Sequence, residues 1–400
     1  MKPKFCRKVL KNGMTLLFEK RDIPVVSVVF AVRNGGINES EEERGISHFI
    51  EHMLYKGTPT RDTKKIAEEI EKKGGELNGF TSESITAYWC KMPSKYLSTA
   101  LDVLSDMIKN PKFDSKELEK ERKVIFEEIK MYKDNPRLHV FEKIQANLYE
   151  KPLGMCLAGT HQTMNSINQQ KMVDKFKEIY RPNNMILCIV GDADFEEIIQ
   201  FTEKNFGDEK GKVPKFKVNL KNESNIEERK GIDQANLVFA YHVPLTDNNK
   251  SYAAQVLSTL TAEGMSSRLF SEIREKRNLA YAVKGDSDIN RDFAFNLIYV
   301  GTSKENVDIV KKLILDEFEK VSKDLDEKEL NQVKEQIIGN HQISMEDSQN
   351  QMINLLRYEI DGNAEKFYEL EKNISEVQLK DVKDLAKIKK YSFFALVPED

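Results

Sequence analysis

The chain has 400 residues, of which 40% are hydrophobic and 32% are charged, and its 62 basic and 66 acidic side chains leave a formal net charge of -4. This composition is typical of folded, soluble proteins and excludes a disordered or membrane-embedded chain. Because basic and acidic residues are interleaved along the chain, no broad basic surface for nucleic acid is expected.

The length predicts two domains, because single hydrophobic cores rarely extend beyond about 250 residues. The N-terminal segment is basic but no apolar run follows it, so no signal peptide is expected. The most apolar run, residues 25–32, has the length of a strand, whereas a membrane helix needs about 20 residues. The four cysteines lack CxxC spacing, which argues against a thiolate metal site. We therefore expect a cytoplasmic protein with reduced cysteines and neither nucleic-acid nor membrane partners.

The first half of the chain alternates between strand and helix patterns. An Asn12-Gly13 turn separates two short strands, and the β-branched run at 25–32 predicts a third. A helix is predicted to begin near Gly45, and Thr63 is the predicted N-cap of the next one. The remaining predictions are strands at 77–81, 85–90 and 185–190 and helices at 95–109, 115–133, 139–149, 168–180 and 195–206.

A polar stretch that includes residues 211–230 lacks a clear periodicity of either kind, which is typical of a linker. Beyond it the order of elements resembles that of the first half. The predicted strands are at 237–242, 280–284, 293–300 and 392–397. The predicted helices are at 251–260 and 266–276, and long helices follow the strand at 293–300 as far as residue 387. The predicted fold class is α+β, with two homologous α/β sandwich domains at 1–210 and 231–400 joined by a linker at 211–230.

Residues 48–52 carry the pattern His-x-x-Glu-His within a stretch of helical periodicity. Positions i, i+3 and i+4 share one face of a helix, so His48, Glu51 and His52 point into the same space. Two imidazoles are a partial zinc ligand set, and a catalytic site needs a third protein ligand and an open position for water. Glu51 is then available as the general base. The alternative is two packed histidines and a solvated glutamate on an ordinary helix.

The third ligand has to come from another part of the chain. The helical stretch 119–129 offers several carboxylates, and Glu121 and Glu128 lie on one face of it because they are seven residues apart. A solvated charged face is the simpler interpretation for Glu119 and Glu127. Spacing alone leaves open which carboxylate is the ligand.

The stretch GISHFIEHMLYKGT at 45–58 resembles the signature of the inverzincin zinc peptidases, which include pitrilysin, insulin-degrading enzyme and the β subunit of mitochondrial processing peptidase. Residues 121–129 are similar to the family segment that supplies the third ligand. The resemblance implies one zinc ion per chain, held by His48, His52 and Glu128. It further implies that Glu51 is the base and that Glu121 orients the ligands.

The resemblance also implies where a substrate binds. The family's edge strand, Asn-Ala-x-Thr, along which a substrate lies as an added strand, is similar to Asn78, Gly79, Phe80 and Thr81. An ordinary strand end is the alternative for these four residues. Two departures concern substrate preference: Gly79 replaces the usual alanine, and Ser84 stands where the family often has a glutamate, with Glu83 one residue earlier.

Within residues 264–281, Arg274 and Tyr281 match a family arginine and tyrosine that reach toward the substrate. A guanidinium and a phenol can hold a substrate carbonyl and stabilise an oxyanion, so both are predicted as catalytic residues. Without the resemblance, a surface arginine and a packed tyrosine would be the simpler interpretation.

Together these features predict a zinc metalloendopeptidase that hydrolyses internal bonds of short or unfolded polypeptides in an enclosed chamber. The resemblance to short, two-domain relatives implies a homodimer, or a heterodimer with a related chain. Two alternatives stay open: a processing peptidase dedicated to one precursor peptide, and a non-catalytic scaffold subunit. The complete ligand set argues against the scaffold, since such subunits generally lose ligands.

Overall fold

The computed structural model describes residues 4–399, which form two compact units. The first comprises residues 4–130, 156–217 and 344–367, and the second comprises residues 131–155, 218–343 and 368–399. Each unit combines a sheet with helices, and the α+β prediction is confirmed. Each unit also takes one segment from the other half of the sequence, in contrast to the continuous domains 1–210 and 231–400 predicted from the sequence.

The strands are β1 Lys4–Val9, β2 Thr15–Lys20, β3 Val25–Val32, β4 Glu76–Thr81, β5 Thr86–Pro93, β6 Met185–Gly191, β7 Ser224–Arg229, β8 Ala235–His242, β9 Ala280–Ile289, β10 Ala294–Thr302 and β11 Ser392–Pro398. The helices are α1 Ile46–Leu54, α2 Thr63–Glu71, α3 Leu97–Lys109, α4 Ser115–Asp134, α5 Pro136–Leu148, α6 His161–Ser166, α7 Gln169–Ile179, α8 Phe195–Asn205, α9 Lys250–Ala262, α10 Val307–Asp324, α11 Glu327–Ser344, α12 Ser348–Ile360, α13 Leu370–Ser375 and α14 Leu379–Leu385. No helix within residues 4–399 is long and apolar enough to cross a bilayer.

The N-cap of α2 differs from the sequence prediction by one residue. The side chain of Asp62, and not that of Thr63, accepts a hydrogen bond from the backbone N–H of Lys65 at 2.8 Å. Both residue types are favoured at N-caps, so propensity alone does not choose between neighbours.

The first unit is built on a six-stranded sheet with the order β1-β2-β6-β3-β5-β4. β2 and β6 are parallel, and the other neighbouring strands are antiparallel. β4 lies at one edge, and among the described strands it pairs only with β5. The outer edge of β4 can therefore accept an added strand.

The central strand β3 is buried on both faces, in keeping with its largely apolar sequence, in which Ser27 is the one polar residue. Val26, Val28 and Phe30 point to the face that carries the main core, where α1 and α3 also pack. Successive side chains of a strand point to opposite faces, so Val29 and Ala31 lie on the other side. That side is covered by α12, which packs on β3 and β6.

Polar contacts of α12 fix it on the sheet. Its buried Glu359 accepts hydrogen bonds from Arg7 at 2.8 and 2.9 Å and from Arg33 at 2.8 Å. At its N-terminal end, the hydroxyls of Ser348 and Ser27 are 2.9 Å apart. A helix from residues 348–360 is thus an integral part of the unit that contains the N-terminal strands.

The second unit has a five-stranded sheet with the order β7-β11-β8-β10-β9, in which β7 and β11 are parallel. α5, from the first half of the sequence, packs on β11 and β8. The predicted linker 211–230 is wrong for Ser224–Arg229, which form β7. This strand lies at the sheet edge with most side chains exposed, so its composition is as polar as that of a loop. Within the predicted helix 266–276, Phe270–Glu275 form a π-helix.

Candidate metal centre

α1 carries the His-x-x-Glu-His motif, and a buried carboxylate holds its N-terminal end. Glu39 accepts hydrogen bonds from the backbone N–H groups of Gly45 at 2.9 Å and Ser47 at 2.7 Å. The first N–H groups of a helix have no partner within the helix, and negative charge is favourable beside them. Gly45 has a φ of +96°, and a Cβ there would lie 2.7 Å from the carbonyl oxygen of Ala158. Glycine is therefore required at the start of this helix.

The three predicted ligands converge on one point. The Nε2 atoms of His48 and His52 are 3.3 Å apart, and Glu128 Oε2 lies 3.5 Å from the first and 3.6 Å from the second. Ligand atoms bound tetrahedrally to zinc at about 2.0–2.2 Å are about 3.3–3.6 Å from one another. The spacing of the three atoms therefore fits zinc. Within residues 4–399 no other group of histidine, cysteine and acidic residues has such spacing.

The protonation of the two histidines follows from their surroundings. Burial, together with the neighbouring His52, lowers the pKa of His48 to about 4. Burial would also lower the pKa of His52, but hydrogen bonds to Glu121 and Glu128 outweigh it and raise this pKa to about 9. A histidine that binds zinc does so as a neutral imidazole, so a zinc ion bound here would displace the proton of His52.

Glu121 lies behind the three candidate ligand atoms. Its Oε2 is 3.1 Å from His52 Nδ1, and its Oε1 accepts from Lys56 Nζ at 2.7 Å. Burial alone would raise the pKa of Glu121, but the bonds to His52 and Lys56 outweigh it and lower this pKa. An ionised carboxylate on Nδ1 would keep the lone pair of His52 on Nε2, the atom that lies near His48 and Glu128.

Glu121→Gln is expected to weaken zinc affinity about 10- to 100-fold, because the amide cannot hold His52 as an ionised carboxylate does. Competition with a chromophoric chelator would measure the change. Glu127→Gln is the matched control, because Glu127 is an exposed residue of the same helix. Equal affinities of the two variants would contradict the orienting role of Glu121.

Glu51 is buried beside the last residues of β4. Its Oε2 accepts a hydrogen bond from Thr81 Oγ1 at 2.8 Å. Burial raises the pKa of Glu51, although the hydrogen bond from Thr81 opposes the shift. A Cβ on Gly79 would lie 3.2 Å from Glu51 Oε1 and only 2.5 Å from Tyr55 Oη. In this chain the Tyr55 hydroxyl thus occupies space that an alanine methyl would need, which gives a steric reason for glycine at position 79.

Asn78 and Phe80 belong to the same edge strand. Asn78 is exposed, and its side chain accepts a hydrogen bond from the N–H of Gly79 at 2.8 Å. Phe80 is partly exposed. Contact of these two residues with a substrate stays a prediction.

Arg274 and Tyr281 belong to the second unit. The Arg274 guanidinium lies 5.2 Å from the ring centroid of Tyr281 and 4.9 Å from that of Phe270, so it contacts two aromatic faces. Tyr281 is 78% exposed, which is unusual for a tyrosine that serves only packing. The catalytic role assigned to both residues stays a prediction.

Two site features were not found from the sequence. Lys56, one turn after His52, neutralises Glu121, and the fully buried Arg44 bonds to Glu83. Lys56 could have been inferred from its i+4 spacing to His52 on the same face. No spacing rule connects Arg44 to Glu83, because the two residues are 39 positions apart.

Comparison with protein-family models divides the chain into two matched regions. Residues 15–161 match the model described as "Insulinase (Peptidase family M16)", and residues 166–337 match that of the "Peptidase M16 inactive domain". A curated "Uncharacterized zinc protease" of Rickettsia felis is 33% identical over 344 residues, which cover 85% of this chain and 84% of that protein. The chain belongs to peptidase family M16. The first region contains His48, Glu51, His52 and Glu128.

Other relatives support the same family and fold. "Uncharacterized zinc protease YmxG" of Bacillus subtilis is 31% identical over 86% of both chains. The crystal structure of a protease from Helicobacter pylori superposes on this chain with a TM-score of 0.92 at 21% sequence identity. The superposition covers 99% of this chain and 100% of the Helicobacter pylori chain. The crystal structure of a "putative M16-like peptidase" from Alicyclobacillus acidocaldarius superposes with a TM-score of 0.86 at 18% sequence identity. The superposition covers 100% of this chain and 99% of the Alicyclobacillus chain. The relatives' names support peptidase activity and zinc as the cofactor.

Proposed function

We propose that this M16 chain is a zinc metalloendopeptidase that cleaves internal bonds of short or unfolded polypeptides. The observation that carries the proposal is the set of three ligand atoms 3.3–3.6 Å apart. A fourth, buried carboxylate, Glu51, stands on the same helix one residue before His52. This combination matches what metal-assisted hydrolysis needs: three ligands and a separate base.

A bound zinc ion supplies a Lewis acid and lowers the pKa of water to about 7. Glu51 takes the proton of the attacking water and delivers it to the amine of the leaving peptide. The hydrogen bond from Thr81 to Oε2 holds the carboxylate in one orientation. Burial, which raises the pKa of Glu51, makes it a stronger base than an exposed glutamate.

The position of β4 favours an extended substrate. The strand lies at the sheet edge, and Thr81 at its end contacts the proposed base. A peptide that pairs with β4 as an added strand would be bound through its backbone, so many sequences could bind. Folded proteins offer few such segments, which supports unfolded chains as substrates. Arg274 and Tyr281 are proposed to contact the substrate carbonyl, and a homodimer or a heterodimer with a related chain is proposed as the assembly.

The experiment that tests the proposal measures zinc content and cleavage of a quenched fluorescent peptide in parallel. We expect about one zinc ion per chain in the wild type. His48→Ala and Glu128→Ala each remove a ligand, and both should lose the metal together with activity. Glu127→Ala, a neighbour of Glu128 with an exposed side chain, should keep both.

A wild-type chain that binds no metal under replete conditions and cleaves nothing would overturn the proposal and favour a scaffold subunit. A panel of unrelated unfolded peptides distinguishes the remaining alternative. Cleavage of many peptides supports general degradation, whereas cleavage of one supports a dedicated processing peptidase.

A further inference from the structure

A buried ion pair ties the turn between β4 and β5 to the residues that precede α1. Arg44, which is fully buried, donates hydrogen bonds to both carboxylate oxygens of Glu83, at 3.0 and 2.6 Å. Its Nε donates to the carbonyl oxygen of Cys156 at 3.1 Å. The backbone adds a further bond from the N–H of Gly36 to the carbonyl oxygen of Ser82, at 3.1 Å. A bidentate arginine–carboxylate pair of this kind fixes orientation as well as distance.

Two glycines allow the turn to come this close. A Cβ on Gly35 would lie 2.2 Å from the carbonyl oxygen of Ser82. A Cβ on Gly36 would lie 2.2 Å from Arg44 Nη1 and 2.4 Å from Glu83 Oε2. A side chain at either position would separate the turn from the segment before α1.

The same turn adjoins the proposed base. Thr81, two residues before Glu83, donates to Glu51 Oε2 at 2.8 Å. α1, which contains Glu51, begins two residues after Arg44. The helix and the end of β4 are therefore joined at two places, once through Arg44 and Glu83 and once through Thr81 and Glu51.

We propose that Arg44 and Glu83 are positioning residues of the peptidase site, which hold the end of β4 so that Thr81 keeps the Glu51 carboxylate in its productive orientation. This inference rests on the proposed function, because it takes Glu51 as the base. It also gives a role to Glu83, whose side chain is 11% exposed and bonds to the fully buried Arg44. A pair that served stability alone would have no specific connection to Thr81.

A double-mutant cycle in kcat separates positioning from stability. Glu83→Gln weakens the pair, and Thr81→Val removes the hydroxyl that bonds to Glu51. Each variant is expected to lower kcat about tenfold, because small displacements of a catalytic group are costly. If both substitutions act through the orientation of Glu51, kcat of the double variant should also be about tenfold below that of the wild type. The zinc content should stay that of the wild type.

Hydrogen exchange measured without substrate gives a second, activity-independent result. Glu83→Gln should accelerate exchange of the amides at residues 36 and 37, which bond to the carbonyl oxygens of Ser82 and Glu83. Arg44→Lys, which keeps the charge but loses the bidentate geometry, should reproduce both effects and serves if Glu83→Gln does not fold. Glu359→Gln, which breaks another ion pair of the same unit, is the control for the cycle. Its effect on kcat and that of Thr81→Val should multiply in the double variant.

The outcomes are distinguishable. A double variant of Glu83→Gln and Thr81→Val that loses about a hundredfold, or a Glu83→Gln chain with unchanged kcat, would overturn the positioning role while the peptidase assignment stands. A wild-type chain that cleaves no peptide would overturn the proposed function, and the positioning role with it.

Discussion

Glu51→Gln is expected to lower turnover severely while the metal stays bound. The amide keeps nearly the same shape and can still accept a hydrogen bond from Thr81, but it cannot take a proton from water. General acid–base catalysis typically contributes about 10²- to 10⁴-fold, so kcat should fall by about a thousandfold. Cleavage of the quenched peptide and metal analysis on the same sample would measure both quantities.

The control for this variant is Glu71→Gln, because Glu71 is an exposed residue of α2. It should cleave at the wild-type rate. If Glu51→Gln retained wild-type activity with a full complement of zinc, Glu51 would not be the base. Loss of both activity and zinc would instead assign Glu51 to metal binding.

The second large effect is expected on stability, from Glu359→Gln. Glu359 is 1% exposed in its side chain and bonds to Arg7 and Arg33, which are 30% and 29% exposed. Removal of one partner from a buried ion pair typically costs about 3–5 kcal/mol. Because both arginines still reach solvent, we expect the unfolding free energy of the first unit to fall by about 3 kcal/mol, the lower end of this range. Urea denaturation monitored by hydrogen exchange in β3 would measure it.

The loss should depend on pH in a defined direction. Burial alone would raise the pKa of Glu359, but the hydrogen bonds from Arg7 and Arg33 outweigh it and lower this pKa. A carboxylate with a lowered pKa in the folded state stabilises the fold above its ordinary pKa of about 4.5, and the stabilisation disappears as the pH falls through the folded value. The difference in unfolding free energy between the wild type and Glu359→Gln should therefore have its largest value at pH 7 and decrease below about pH 4.5.

Glu346→Gln, at an exposed position just before α12, should leave stability unchanged at every pH. A Glu359→Gln chain as stable as this control would mean that α12 does not depend on the ion pairs.

The metal site was accessible from the sequence because its chemistry is local. His48, Glu51 and His52 fall within five residues of one helix, and the structure brings ligand atoms of His48, His52 and Glu128 within 4.8 Å of one another. Arg44 and Glu83 were not predicted, because two charged residues 39 positions apart look like any other surface charges until the fold brings them together. Sequence spacing therefore indicated the two histidines of the candidate site and the family resemblance added Glu128, but neither pointed to Arg44 and Glu83.

The limits on the fold prediction have a similar origin. The apolar run of β3 predicted a strand, but it did not indicate that α12, more than 300 residues later, covers one of its faces. The periodicity of α12 shows only that the helix has an apolar face, not which sheet it covers. β7 was assigned to the linker because an exposed edge strand needs few apolar residues.

The placement of α12 has a consequence for synthesis on the ribosome. The strands and most helices of the first unit are complete by residue 217, but residues 344–367 have not yet been made. At about 5–20 residues per second, roughly ten seconds pass before α12 exists. During that interval the face of β3 and β6 that carries Val29 and Ala31 lacks its cover. The nascent chain therefore exposes an apolar, aggregation-prone surface, of the kind that chaperones shield near the ribosomal exit tunnel.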